Sequence, residues 1–261
     1  IRHPNVVTVF DSGASEDGSL FYAMDYILGD DLDDYLRRTQ PPRERVLRLF
    51  LDICEGLHAA HVKGIIHRDV KPSNVRVATD GRPVVVDFGL AKELSEKPDE
   101  RITDDGQFVG TPRWASPEHF TDQTDTRSDV YALGVMLYEA LTGQMPYKLT
   151  GNRSKDEHTI RNVEPPAPRR QSPLIDRELD AIVTGCLAKS PAERFYQNAG
   201  ELARDLRNYL EGRPVSAKGQ TFGYLAWKLA RRHWLRVVAV GGAAAAGLLD
   251  ARSMAGVVGA L

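Results

Sequence analysis

Apolar residues recur at helical spacing through residues 42–62, a region that begins with a proline and ends just before Gly64. Apolar positions three and four residues apart are typical of a helix with one buried face, and proline and glycine mark its ends. The pattern therefore predicts one long, well-bounded helix. Similar spacing predicts three further helices at residues 128–141, 176–188 and 199–210.

Short β-favouring runs predict two pairs of strands. Residues 6–10 and 20–24 are separated by turn-forming Gly, Ser, Asp and Glu, and residues 75–78 and 83–86 flank the dipeptide Asp80-Gly81. Asp-Gly between two such runs favours a tight hairpin. The chain is therefore predicted to be an α+β protein, mainly helical, with a few strands near its start.

Composition is that of an ordinary globular protein, with 42% apolar and 27% charged residues in 261. The 34 basic and 36 acidic side chains nearly cancel, so no overall positive field favours nucleic acid, and no nucleic-acid partner is expected. The two cysteines, Cys54 and Cys186, lie in apolar helical stretches without metal-ligand spacing. We interpret both as core thiols in a reducing compartment.

The residue types needed for phosphoryl transfer lie on the two arms of the predicted hairpin. Such a reaction needs a carboxylate to accept a hydroxyl proton, a cation on the moving phosphate, and hard oxygen ligands for Mg²⁺. The residues are His67-Arg68-Asp69-Val70-Lys71-Pro72-Ser73-Asn74, followed by Asp87-Phe88-Gly89. These two runs, in this order, resemble the catalytic loop and metal-binding triplet of eukaryotic-type protein serine/threonine kinases.

The resemblance implies a role for each matched residue. It makes Asp69 the base, Lys71 the phosphate-binding cation, and Asn74 and Asp87 the ligands of Mg²⁺, with ATP as the phosphate donor. Lysine at position 71 is the serine/threonine pattern, so the expected substrates are protein Ser and Thr hydroxyls. The implied fold is protein-kinase-like, with a helical C-terminal lobe and a remnant of the β-rich N-terminal lobe.

Further matches occur downstream in the order that the family implies. Residues 110–118 resemble the segment that closes the activation loop, in which Thr111 would bond near Asp69. The resemblance pairs Glu118 with Arg194, and it gives Asp129 the task of supporting the catalytic-loop backbone.

A nucleotide site is implied by residues 24–31. Met24, Asp25 and Ile27 resemble the hinge that faces adenine, and Asp31 is placed to reach the ribose or a basic substrate residue, or simply to begin a helix. Arg76 stands where the family usually has an apolar residue under the base. We expect its stem to pack there with the guanidinium directed to water.

Arg68, next to the base, suggests regulation by phosphorylation of the loop after Asp87, because its guanidinium can pair with a phosphate. Thr103 is the first candidate acceptor and Ser95 the second, which makes self-phosphorylation an expected activity. A solvated acidic loop is the alternative interpretation of this region.

The resemblance divides the chain into four expected parts. Residues 1–25 are the last strands of the N-terminal lobe, 26–213 the C-terminal lobe, 214–236 a basic juxtamembrane linker, and 237–261 an apolar Ala/Gly tail. The glycine-rich loop, strand lysine and helix glutamate of the family have no counterpart, so we expect a fragment of a longer protein with negligible activity by itself. The unseen lysine would decide between a kinase and a pseudokinase scaffold; a small-molecule kinase is disfavoured by residues 110–118.

The tail leaves three alternatives open. Residues 237–249 are uncharged, but Asp250 and Arg252 interrupt the run before it reaches bilayer length. A basic run without acidic residues, which includes Lys228 and Arg236, precedes it and suits a cytoplasmic flank. A single membrane span that anchors a cytoplasmic kinase, a truncated or misread transmembrane segment, and a flexible linker to a further domain are all compatible with this pattern.

Overall fold

The computed structural model describes residues 1–15, 20–88, 113–121 and 123–219, together with Tyr224 and Lys228. In these residues the chain forms two small antiparallel sheets and a larger helical part. The strands are β1 (Val9–Ala14), β2 (Leu20–Met24), β3 (Gly29–Asp31), β4 (Val75–Ala78) and β5 (Pro83–Val85). The helices are α1 (Leu32–Thr39), α2 (Arg43–His61), α3 (Thr126–Thr142), α4 (Arg153–Asn162), α5 (Pro168–Gln171), α6 (Arg177–Cys186) and α7 (Ala199–Leu210).

The first strand begins later than the sequence predicted. Strand β1 starts at Val9, whereas residue 6 was the predicted start. Val6 forms an isolated bridge with Val85, and the amide of Val7 donates to the Val85 carbonyl at 2.9 Å. Both valines are buried against β5, so the start of the predicted strand joins the second sheet instead of the first.

The predicted hairpin around Asp80-Gly81 is confirmed. Strands β4 and β5 pair antiparallel, with Val75 opposite Val85, and β3 pairs with the other edge of β4. Gly81 has φ of 88°, a left-handed conformation in which glycine carries no steric penalty. The hairpin holds the end of the catalytic loop beside the start of the Asp87 segment.

The core lies between α2, α3, α6 and α7, and the four predicted helices are confirmed with small shifts at their ends. Helix α3 is buried along most of its length, from Ser128 to Tyr138. A Cβ atom on Gly134 would approach the Cβ of Cys186 to 2.4 Å, so this glycine permits close packing of α3 against α6. Each fully buried Leu, Ile or Phe in such a core contributes about 1.5–3 kcal/mol.

Both cysteines are core residues, as predicted. Cys54 in α2 and Cys186 in α6 are free thiols with no exposed surface. Burial raises the pKa of both thiols, because a thiolate is poorly solvated in the apolar interior. Neither is a reactive cysteine in the folded state.

None of the helices in the described part of the chain is long and apolar enough to cross a membrane. Residues 237–261, where the sequence left a membrane span open, lie outside that part.

Candidate active site

The carboxylate of Asp69 lies in the loop between α2 and β4, held by two neighbours. Lys71 Nζ donates to Asp69 Oδ2 at 2.7 Å, and Asn74 Nδ2 donates to the same oxygen at 3.2 Å and to the Asp69 carbonyl at 2.8 Å. The Asp69 side chain keeps 55% of its surface exposed. A half-exposed ion pair adds little to stability, so the effect of these contacts is to orient a carboxylate that remains open to solvent.

The buried carboxylate of Asp129 in α3 holds the backbone of this loop in place. Asp129 is 1% exposed. Its Oδ2 accepts the His67 amide at 2.9 Å, and its Oδ1 accepts the Arg68 amide at 2.9 Å. Arg68 has φ of 66°, a left-handed conformation that costs a non-glycine residue about 1–3 kcal/mol. Hydrogen bonds to a buried carboxylate offset that cost, which is the support that the kinase resemblance implies for Asp129.

A third donor to Asp129 was not foreseen from sequence. His61, the last residue of α2, donates from Nε2 to Asp129 Oδ2 at 2.8 Å, and its side chain is 3% exposed. Its spacing places it on the buried face of α2, among the apolar residues of that helix. A histidine on the buried face of a helix is the sequence signal that could have revealed this contact, because a buried imidazole requires a polar partner.

His67 connects the catalytic loop with the segment that carries Asp87. Its Nε2 donates to the Val86 carbonyl at 2.9 Å, its Nδ1 accepts the Asp69 amide at 3.3 Å, and its ring lies 4.7 Å from that of Phe88. The Val86 amide in turn donates to the Asn74 carbonyl at 2.9 Å. The backbones of Asn74 and Asp87 are thereby brought together at the open end of the hairpin.

Asp87 has φ of 55°, a left-handed conformation that is uncommon for a non-glycine residue. Such strain persists only where the surroundings enforce it, and it concentrates at functional sites. The enforcing contacts are those of the residues on either side, Val86 and Phe88. Gly89, the last residue of the triplet, lies outside the described residues.

The predicted hinge comes directly after β2. The Asp25 amide donates to the Thr8 carbonyl at 3.0 Å, so the carbonyl is the Asp25 backbone group that remains to face a base. Tyr26 is 86% exposed, and Met24 and Ile27 are half-buried. These backbone positions lie at one end of β3, and Asn74 and Asp87 lie at the far end of the same sheet.

Arg76 departs from the expectation that its charged end would reach water. Its guanidinium contacts the Asp31 carboxylate through Nη1 and the Gly29 carbonyl through Nη2, and the side chain is 28% exposed. Asp31 and Arg76 are cross-strand partners in the β3–β4 pair, so the register itself places the charges together. Asp31 occupies the N-cap position of α1, but its side chain makes no capping bond.

The predicted pair between Glu118 and Arg194 is present and buried. Arg194 donates from Nη1 and Nη2 to the two Glu118 oxygens at 2.6 Å each, and its side chain has no exposed surface. Ser128 Oγ also donates to Glu118, at 2.6 Å. Burial by itself would raise the pKa of Glu118, but the hydrogen bonds and charge of Arg194, aided by Ser128, hold that pKa below its ordinary value.

Three hydroxyl residues singled out from sequence lie outside the described residues. They are the phosphate-acceptor candidates Thr103 and Ser95, and Thr111.

Comparison with known proteins shows the family of this chain. The family model for the protein kinase domain matches residues 1–203. The chain therefore belongs to the protein kinase family, and its helical part with small antiparallel sheets is the expected α+β kinase fold.

Two of the similar proteins are bacterial kinases. The chain is 37% identical over 223 residues to serine/threonine-protein kinase PknB of Mycobacterium leprae, a match that covers 83% of this chain and 35% of the relative. It is 38% identical over 205 residues to serine/threonine-protein kinase pkn3 of Myxococcus xanthus, covering 74% of this chain and 37% of that protein. The chain thus spans about a third of the length of these curated relatives.

Proposed function

We propose that this chain is the catalytic part of a protein serine/threonine kinase, which transfers the γ-phosphate of ATP to Ser and Thr hydroxyls of proteins. The observation that carries the proposal is the set of contacts on Asp69: a loop backbone fixed by buried Asp129, and a carboxylate oriented by Lys71 and Asn74 yet still exposed. Its bacterial relatives are named as serine/threonine-protein kinases, which supports the same assignment.

In the proposed reaction, the substrate hydroxyl oxygen forms a bond to the γ-phosphorus as the bond from that phosphorus to the β-phosphate oxygen breaks, and ADP leaves. Asp69 accepts the hydroxyl proton. Lys71 and Asn74 both donate to Oδ2 of Asp69, which directs the other oxygen, Oδ1, to the incoming hydroxyl. Lys71 also supplies positive charge next to the transferred phosphate. Most of the rate gain in such a site comes from positioning and charge, because the transferred group is already activated.

The residues present suit Mg²⁺, which would lower the charge repulsion among the phosphates. Asn74 uses its amide nitrogen to donate to Asp69, so its amide oxygen is the atom that can meet a cation. Asp87 supplies a carboxylate from the adjoining segment, whose backbone is bonded to Asn74. An amide oxygen and a carboxylate are hard donors, and phosphate oxygens and water complete the octahedron that Mg²⁺ prefers.

The nucleotide is proposed to extend from the hinge to this cation site. Met24, Asp25 and Ile27 would face the base through backbone groups, and Asn74 and Asp87 would hold the phosphate end. The path between them crosses β3 and β4, where Asp31 is already bound by Arg76. We therefore assign Asp31 to the nucleotide site as a partner of Arg76, in preference to recognition of a basic substrate residue.

Phosphorylation of Thr103 or Ser95 by a second copy is proposed as the activating step, with Arg68 as the phosphate partner. The buried, reduced cysteines and the use of ATP support a cytoplasmic location for the domain. Membrane attachment through residues 237–261 remains part of the proposal on the ground of their apolar composition alone.

The test is phosphate transfer from radiolabelled ATP to a Ser/Thr peptide library by the complete natural protein and its Asp69→Asn variant. We expect the variant to lose about 10²- to 10⁴-fold in kcat, the usual worth of a positioned base, with little change in KM for ATP. Asp80→Asn, in the exposed hairpin turn, is the matched control and should keep wild-type activity. Undiminished transfer by the Asp69→Asn protein would reject Asp69 as the base. ATP binding without any transfer by the wild type would reject catalysis and leave a scaffold.

A further inference from the structure

Two buried carboxylates of the helical part take their partners from the segment that comes after it. The part of this segment that the structure describes, here called the C-terminal strap, consists of residues 214–219 together with Tyr224 and Lys228. It begins beyond α7, and the kinase family match ends earlier still, at residue 203. From sequence, residues 214–236 were expected to be a linker.

Asp205 in α7 is the first of these carboxylates and is 1% exposed. Its Oδ1 accepts the Ser216 amide at 2.8 Å, and its Oδ2 accepts the Ala217 amide at 2.9 Å and the Tyr196 hydroxyl at 2.9 Å. Two of these three donors belong to the strap. A buried carboxylate left with a single neutral donor is costly, so α7 needs the strap in place.

The second buried carboxylate is that of Glu178, in the first turn of α6, a residue that is 7% exposed. Lys228 Nζ donates to Glu178 Oε2 at 2.6 Å, and the two side chains are 6% and 9% exposed. Removing one member of a buried ion pair leaves an uncompensated charge, which destabilises more than loss of the whole pair. Lys228, which the sequence pattern placed in a basic membrane flank, is thus part of the protein interior.

Tyr224 joins these two attachments. It is 8% exposed, its hydroxyl accepts the amide of fully buried Val215 at 2.9 Å, and the Lys218 ammonium lies 4.3 Å from its ring centroid. Burial is the largest cause that raises the pKa of Tyr224 to about 12, so the hydroxyl stays neutral at physiological pH. The strap is therefore anchored near its beginning, middle and end by different chemistry.

We propose that the surface formed by α6 and α7 is a docking site for the chain's own C-terminal strap, and that the kinase domain is complete only with the strap bound. Asp205 also holds Tyr196, two residues after Arg194, so the strap supports the region that anchors Glu118. The contact of Lys228 with Glu178 fixes the end of the strap beside α6. This inference does not depend on the proposed catalytic function.

The test compares the melting temperatures of four variants of the full chain: Lys228→Met, Glu178→Gln, the double variant, and Lys63→Met as an exposed-lysine control. We expect Lys228→Met to lower Tm by at least about 6 °C, because Glu178 loses its cation. The double variant should recover most of that loss. A Lys228→Met Tm within about 1 °C of the control, or a double variant as unstable as Lys228→Met, would overturn the proposal.

Hydrogen exchange of the wild-type chain tests the same idea without any variant. The Ser216 and Ala217 amides, bonded to Asp205, should exchange as slowly as the amides in the middle of α7. Exchange of these two amides at the rate of a free peptide would show that the strap is not docked. In Lys228→Met the same amides should exchange more than about tenfold faster, while the centre of α3 stays protected.

Discussion

The support of the catalytic loop by Asp129 makes a quantitative prediction. Substitution of Asp129 by Asn keeps the shape of the side chain but replaces one acceptor oxygen with an NH₂ group. Three donors then face a single oxygen: the amides of His67 and Arg68 and the imidazole of His61. At least one buried N–H is left opposite another N–H, and Asp129 has almost no exposed surface through which water could satisfy it.

The size of the effect can be worked out from the contacts that are lost. Hydrogen bonds to a charged group contribute about 1.5–3 kcal/mol each, so the loss of one of the three amounts to about 1.5–3 kcal/mol and the loss of two to roughly 3–6 kcal/mol. At the low end this corresponds to a fall in Tm of about 3 °C or more for a domain of this size. Without its acceptor, the left-handed conformation of Arg68 relaxes, and Asp69 moves with it. We expect a drop in kcat of at least about tenfold, since small displacements of a catalytic group are costly.

The assay is thermal unfolding together with phosphate transfer by the complete protein. Glu157→Gln, which removes an exposed pair with Arg161, is the control and should change stability by less than about 0.5 kcal/mol. If Asp129→Asn proves too unstable to isolate, His61→Leu removes one donor and should give a smaller loss of the same kind. An Asp129→Asn protein with wild-type Tm and kcat would refute the conclusion that Asp129 holds the catalytic loop in place.

Two further predictions concern the interior. The lowered pKa of Glu118 means that its contribution to stability is present above the unfolded-state value and is lost as pH falls through the folded-state value. The unfolding free energy should therefore decline with acidification below about pH 4.5, the ordinary pKa of a glutamate. It should decline less in a Glu118→Gln, Arg194→Met double variant. An equal dependence of the unfolding free energy on pH in the two proteins, measured by urea titration at several pH values, would contradict this prediction. Cys54 and Cys186 should resist a thiol-labelling reagent in the native protein and react only at the rate of unfolding; rapid labelling of either would contradict their core placement.

Local pattern was sufficient for much of the fold. Helix α2 was predicted almost to its ends, because its apolar spacing, its leading proline and Gly64 all act within a few residues. The β4–β5 hairpin was predicted for the same reason, since Asp80 and Gly81 determine a turn locally. The predicted start of β1 was wrong. Val6 can pair with either sheet, and its bridge to Val85 is decided by residues far along the chain.

The candidate site residues could likewise be predicted from a short stretch of sequence. Asp69, Lys71 and Asn74 lie within six consecutive residues, so their order in the sequence already determines which groups meet. The pair between Glu118 and Arg194 could also be predicted, but only through resemblance to a family, because no spacing rule connects residues so far apart. The structure adds its geometry, a bidentate contact in which the Arg194 side chain has no exposed surface.

The amino-acid sequence by itself thus determined the class of the protein, its candidate catalytic groups and its main helices, because those features depend on residue type and short-range spacing. Only the tertiary structure decided that His61 supports Asp129, that Arg76 binds Asp31, and that Lys228 belongs to the interior. The physical reason is the same in each case. A polar side chain takes whichever partner packing brings within about 3 Å after burial has removed water, and no local pattern encodes which distant element will supply it.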